Sequence, residues 1–116
     1  KMFRKIKYMI EKNFELKRSF DNQKDIRKEE ISQYIRQGAI LIDVRSPQEF
    51  NEGHLNGAIN IPEYEIRKRI RNEIPKLNQQ IVLYCQYGGR SQDTLNMMTR
   101  MGYNNVYVLK GGLEMI

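Results

Sequence analysis

Apolar positions follow two rhythms along this chain. Phe3, Ile6, Ile10 and Phe14 stand three or four residues apart, with Met2 and Met9 beside them and basic residues between, which predicts an amphipathic N-terminal helix. Asp21 to Lys24 form a polar joint, and Ile26 begins a short strand. Lys28 to Arg36 reads as a helix with Ile31, Tyr34 and Ile35 on one side, closed by Gly38. Ala39 to Val44 is almost wholly apolar, the pattern of a strand covered on both faces. Ser46-Pro47 ahead of Gln48, Glu49 and Phe50 predicts a short helix with serine at the N-cap and proline at its first position.

Gly53-His54 opens a turn into a strand over Ala58 to Ile61, which Pro62 closes. Glu63 to Ile74 carries Tyr64, Ile66, Ile70 and Ile74 among Arg67, Lys68, Arg69 and Arg71, an amphipathic helix with a charged face. That face could meet an acidic partner, but a solvated helix face is the favoured expectation. Ile81 to Tyr84 and Val106 to Leu109 are strands. Between them Ser91 heads a helical segment spaced by Leu95, Met98 and Met101 and ended by Gly102. Strands alternating with helices predict a parallel α/β sheet with right-handed crossovers. The expected organisation is a basic arm over residues 1–24 and one domain over 25–116.

Charge sharpens that division. The net charge is +6, yet residues 1–20 hold seven Lys or Arg against Glu11 and Glu15, a net +5, which leaves +1 for the rest. The arm's apolar stripe needs cover, and packing on the domain or on a second copy in a homodimer is the favoured expectation. A peripheral membrane contact is the next reading. Nucleic acid ranks last, because no zinc-finger or RNA-binding signature accompanies the charge. No apolar run approaches the ~20 residues that span a bilayer. Glu11, Lys12 and Asn13 interrupt any secretory-signal core. The chain opens on Lys1, which leaves room for an upstream segment, targeting or membrane-bound. One cysteine excludes an internal disulfide and a zinc site built from several thiolates, and a free thiol suits the cytoplasm.

That cysteine ends a strand. Cys85 precedes Gln86, Tyr87, Gly88 and Gly89, then Arg90, then Ser91 at the predicted helix start. Glycines let successive amides converge, a helix N-terminus adds positive potential, and arginine adds a planar cation, so the loop can stabilise an anion beside a nucleophile. A lone cysteine is often a small buried hydrophobe, and Gly-Gly is often only a turn. The combination carries the functional reading. His54, the only histidine, lies in a turn context that fits a structural role better than that of a base for Cys85.

Cys85 to Ser91 resembles the active-site loop of single-domain rhodaneses, persulfide-forming sulfurtransferases, in the pattern C-x-x-G-x-R-S. Three further stretches agree in order. They are Leu41 to Arg45 with Glu49-Phe50, Gly53 to Pro62, and Val106 to Gly112. The resemblance covers about residues 25–116 and implies a small three-layer domain, a mainly parallel sheet of about five strands flanked by helices. It implies that Cys85 takes sulfur from thiosulfate, a persulfide or a polysulfide and passes it to cyanide or a thiol, with no metal and no organic cofactor. Gln86, Tyr87, Gly88, Gly89, Arg90 and Ser91 would form the anion-binding loop, with Arg90 holding the donor or the loop. Asp43 and Arg45 would support it.

Four residues separate Cys85 from Arg90, one fewer than in the cysteine phosphatases, a ring better suited to one sulfur than to phosphate. Arg90 is the only cation in the loop, which weakens the case for a dianionic donor, so poor thiosulfate activity is expected. A catalytically silent binding or regulatory module is the alternative. Many relatives continue past the final Gly-Gly into a tryptophan and a closing helix, whereas here Leu113 to Ile116 follow. The N-terminal helix is expected to replace some of that cover, so that deleting residues 1–20 lowers thermal stability.

Overall fold

The computed structural model describes residues 24–116. The arm helix, its covering role and the effect of deleting it therefore fall outside the described residues. Five strands form one parallel sheet: β1 (Asp25–Ile26), β2 (Ile40–Asp43), β3 (Ile59–Asn60), β4 (Ile81–Tyr84) and β5 (Val106–Leu109), in the spatial order β1-β5-β4-β2-β3. Helices α1 (Ile31–Arg36), α2 (Pro47–Glu52), α3 (Ile66–Glu73) and α4 (Gly89–Arg100) provide the connections. Short 3-10 turns occupy Lys28–Glu30, Glu63–Glu65 and Gly112–Met115.

Strand β4 is central and buried throughout. Its side chains alternate between two apolar layers, as period-two geometry requires. Ile81, Leu83 and Cys85 join the layer containing Ile66, Ile70, Leu95 and Met98 of α3 and α4. Val82 and Tyr84 join the opposite layer with Leu41 and Leu109, where Ile31 and Tyr34 of α1 pack. Parity along β4 thus points the Cys85 side chain to the α3 and α4 side.

The elements sit where the periodicities place them, with shifts at the ends. The helix expected over 28–36 starts with a 3-10 turn and is α-helical only from Ile31, and the one over 63–74 likewise becomes α-helical at Ile66. Helix α4 starts at Gly89, two residues before Ser91, because Gly88 adopts φ +109° at the N-cap and turns the chain early. Tyr64 is 72% exposed rather than part of the apolar stripe. It lies two residues before Ile66, a spacing that turns it to the side opposite Ile66 and Ile70. Ile35, grouped by sequence with Ile31 and Tyr34, is exposed as well.

Candidate active site

Cys85 is buried immediately beyond β4, at the carboxyl edge of the sheet where open parallel sheets place their sites. The Gly88 amide donates to Sγ at 3.1 Å and the Ser91 amide at 3.4 Å. The thiol faces the Ser91 hydroxyl at 3.4 Å, and that hydroxyl donates to the Gly88 carbonyl at 3.1 Å. These amides belong to the N-cap and first turn of the 12-residue helix α4, whose N-terminal potential is positive. The sulfur therefore occupies a polar nest at a helix start, where negative charge is favoured.

The loop's carbonyls are held from outside. Leu113 N donates to the Cys85 carbonyl at 2.9 Å and Glu114 N to that of Gln86 at 3.0 Å. This approach requires Gly112, which has φ +66°. A Cβ there would collide with the Cys85 carbonyl oxygen and reach within 2.6 Å of that of Gln86. The chain's last turn thus clips the outer side of the loop while α4 presents amides to the inner side. Sequence reading recognised Gly111-Gly112 but not this contact; a glycine pair after the last strand was its visible signal.

Asp43 and Arg45 form a buried pair at the end of β2. Asp43 Oδ2 accepts from Arg45 Nη2 at 2.7 Å, and Oδ1 accepts from Arg45 N at 2.9 Å and Nε at 3.0 Å. The same guanidinium donates to the Gly53 carbonyl at 2.6 Å and to Gln86 Oε1 at 3.2 Å. Gln86 Nε2 in turn donates to Glu114 Oε2 at 2.8 Å. The Gln86 side chain is therefore a strut between the buried pair and the terminal turn. Glu114 is a residue that sequence reasoning missed. Tyr84 packs beneath Arg45, its hydroxyl accepts the Leu55 N–H at 3.0 Å, and burial pushes that hydroxyl's pKa upward.

Arg90 is engaged on the other flank. Its fork meets Glu49 at 2.7 and 3.0 Å, bridging α4 to α2. Glu49 also closes a capping box with Ser46, accepting its backbone N–H at 3.1 Å while the Ser46 hydroxyl accepts from Glu49 N at 3.2 Å. The Arg90 hydrogen bonds, together with those from Ser46, lower the Glu49 pKa to about 2. The guanidinium that sequence reading considered for holding a donor is thus committed to a carboxylate. Tyr87 stands 73% exposed at the tip of the loop, and Gly89 begins α4. His54 stacks on Phe50 with ring centroids 3.7 Å apart, and its Nδ1 is 2.9 Å from the Phe50 carbonyl. Nothing joins it to Cys85. No cluster of three or more metal-ligating side chains occurs among the described residues.

A family model described as a rhodanese-like domain matches residues 27–116. Thiosulfate sulfurtransferase PspE of Escherichia coli is 38% identical over 65 residues, 56% of this chain and 62% of that protein, so part of PspE lies beyond the similarity. Thiosulfate sulfurtransferase GlpE of Pseudomonas aeruginosa is 30% identical over 95 residues, 82% of this chain and 84% of the relative. Among solved structures, the human single-domain sulfurtransferase TSTD1 superposes with a TM-score of 0.71 at 25% identity, covering 81% of this chain and 95% of the other.

Proposed function

The chain belongs to the rhodanese-like domain family, and from that premise we propose that it is a sulfurtransferase whose nucleophile is Cys85. The observation that carries this reading is Sγ at the carboxyl end of β4, receiving the amides of Gly88 and Ser91 at the start of α4. Those donors stabilise negative charge as it develops on the sulfur. In the first half-reaction the Cys85 thiolate attacks the sulfane sulfur of a donor. The donor's bond to that sulfur breaks, its electron pair leaves with the departing group, and Cys85 becomes a persulfide. In the second, a thiolate or cyanide attacks the outer sulfur and the pair returns to Sγ. The nest that favours the thiolate also favours the persulfide anion, so the loop serves both halves.

Positioning falls to the surrounding groups. Asp43, Arg45 and Gln86 hold the start of the loop, Arg90 with Glu49 holds the first turn of α4, and Gly112 admits the clip on the loop carbonyls. Both arginines near the loop are paired with carboxylates at 2.7 Å. That neutralisation favours a persulfide or polysulfide donor over dianionic thiosulfate. The chemistry requires a reduced thiol, so the cytoplasm is the proposed location. Steady-state thiocyanate formation from cyanide, with thiosulfate or a persulfide as donor, tests the reading. Activity with both donors, faster with the persulfide and absent in Cys85→Ser, is expected. A folded Cys85→Ser protein that retained the rate would remove Cys85 from the chemistry.

A further inference from the structure

Helix α3 presents a face that the sulfur chemistry does not use. Ile66 and Ile70 are buried beneath it, while Arg67, Lys68 and Arg71 are exposed on the other side. Exposed Tyr64 continues the same line, since positions 64, 67, 68 and 71 share one side at helical spacing. Two of the three carboxylates of this turn and helix are used elsewhere: Arg69 takes both Glu65 and Glu73. Among the described residues no ion pair engages Arg67, Lys68 or Arg71, and Arg71 donates only to the Met101 carbonyl, at 2.8 Å. The strip therefore keeps three positive charges that local carboxylates do not cancel.

The strip begins at the nucleophile's edge of the sheet. Glu63 N donates to the Val44 carbonyl at 2.8 Å and Val44 N to the Tyr84 carbonyl at 3.0 Å, and Cys85 follows Tyr84. The Glu63–Glu65 turn also packs against α4, whose first turn holds the sulfur. Tyr64 on this turn and Tyr87 on the loop are two large, exposed aromatic side chains on the segments flanking Cys85.

We propose that Tyr64, Arg67, Lys68 and Arg71 form a docking strip for an acidic protein segment that carries the sulfur-accepting cysteine. This rests on the sulfurtransferase reading and names its partner. Three uncancelled cations in line with an aromatic anchor complement a segment with acidic residues beside an apolar one. Adjacency to a thiol site selects a thiol-bearing protein over nucleic acid or lipid, neither of which supplies an acceptor. In the transfer, the partner's thiolate attacks the outer sulfur of the Cys85 persulfide. The bond to Sγ breaks, its electron pair returns to Cys85 as thiolate, and the partner leaves as a persulfide. No further oxidant or reductant is consumed.

The full chain and R67E/K68E, two exposed substitutions that leave the core intact, provide the test in two arms. In the binding arm, fluorescence anisotropy follows a labelled acidic peptide with serine in place of its cysteine. The wild type should bind it roughly tenfold more tightly than a neutral peptide at low salt, and added NaCl or R67E/K68E should remove the difference. In the transfer arm, persulfide-loaded protein is discharged by the cysteine form of the peptide or by cyanide. R67E/K68E should slow the peptide reaction roughly tenfold and leave cyanide discharge within about twofold. Equal binding of acidic and neutral peptides, binding that survives R67E/K68E, or binding of duplex RNA or phosphatidylserine vesicles that is tighter than the peptide's and lost in R67E/K68E would overturn the strip. Failure of Cys85 to load from any donor would instead count against the sulfurtransferase reading, while the binding arm still decides the docking.

Discussion

The Cys85 loop is held between two ion pairs of opposite character. On the β2 side, Asp43 and Arg45 are nearly inaccessible, with side-chain exposures of 0% and 5%, and share four hydrogen bonds. On the α2 side, Glu49 and Arg90 are 32% and 38% exposed and meet through a two-point fork. Buried charges cannot do without each other, whereas half-exposed charges fall back on water. The first pair therefore acts as a fixed anchor for the loop, and the second as an adjustable brace on the helix behind it.

Breaking the anchor should have the largest effect. Asp43→Ala strands the Arg45 guanidinium in a buried site and loosens its bond to Gln86. A loss of about 3–5 kcal/mol is expected, visible as a steep fall in the denaturation midpoint. Gly112→Ala comes next, because it strikes the clip on the loop carbonyls, which the buried pair reaches through Gln86 and Glu114. Its Cβ meets backbone carbonyls and its φ is +66°, so a cost of about 1–3 kcal/mol is expected. The rate of sulfur loading should fall by more than the stability alone explains, measured well below the melting temperature.

Glu49→Gln should cost only up to about 1 kcal/mol in thermal denaturation at neutral pH, since the pair is partly solvated. Its pH dependence sharpens the contrast. The Glu49 pKa is depressed from 4.5 to about 2 in the folded state, so its stabilisation is fully present above about 4.5 and is lost as the pH falls through about 2. The stability gap between wild type and Glu49→Gln should therefore close across that window. His54→Ala should have the smallest effect, leaving turnover within about twofold, because His54 contacts Phe50 rather than the sulfur.

Local signals were the legible ones. Strands β4 and β5 were readable to the residue because continuous apolar runs end at Cys85 and Lys110, and the Ser46 cap with Pro47 marked α2. The nest was readable in kind, since a cysteine, two glycines and a helix start are neighbours in sequence. Arg90 was visible, but the partner that uses its charge lies 41 residues away, as does the donor to Gln86 Oε1. The contact between Glu114 and Gln86 spans 28 residues. Such pairings arise only when parallel crossovers bring strand ends to one edge, and no periodicity encodes them. Tyr64 was misplaced because it was grouped with Ile66 and Ile70 as one stripe, although a residue two positions before Ile66 falls on the opposite side of the helix.

The most direct measurement is intact mass after single-turnover exposure to a sulfur donor, on the wild type and on Cys85→Ser. The wild type should gain about 32 Da, lose it on adding cyanide, and gain it faster from a persulfide than from thiosulfate, while the variant gains nothing. A folded wild-type protein with a free thiol that took up no sulfur from either donor would contradict Cys85 as the sulfur-carrying nucleophile.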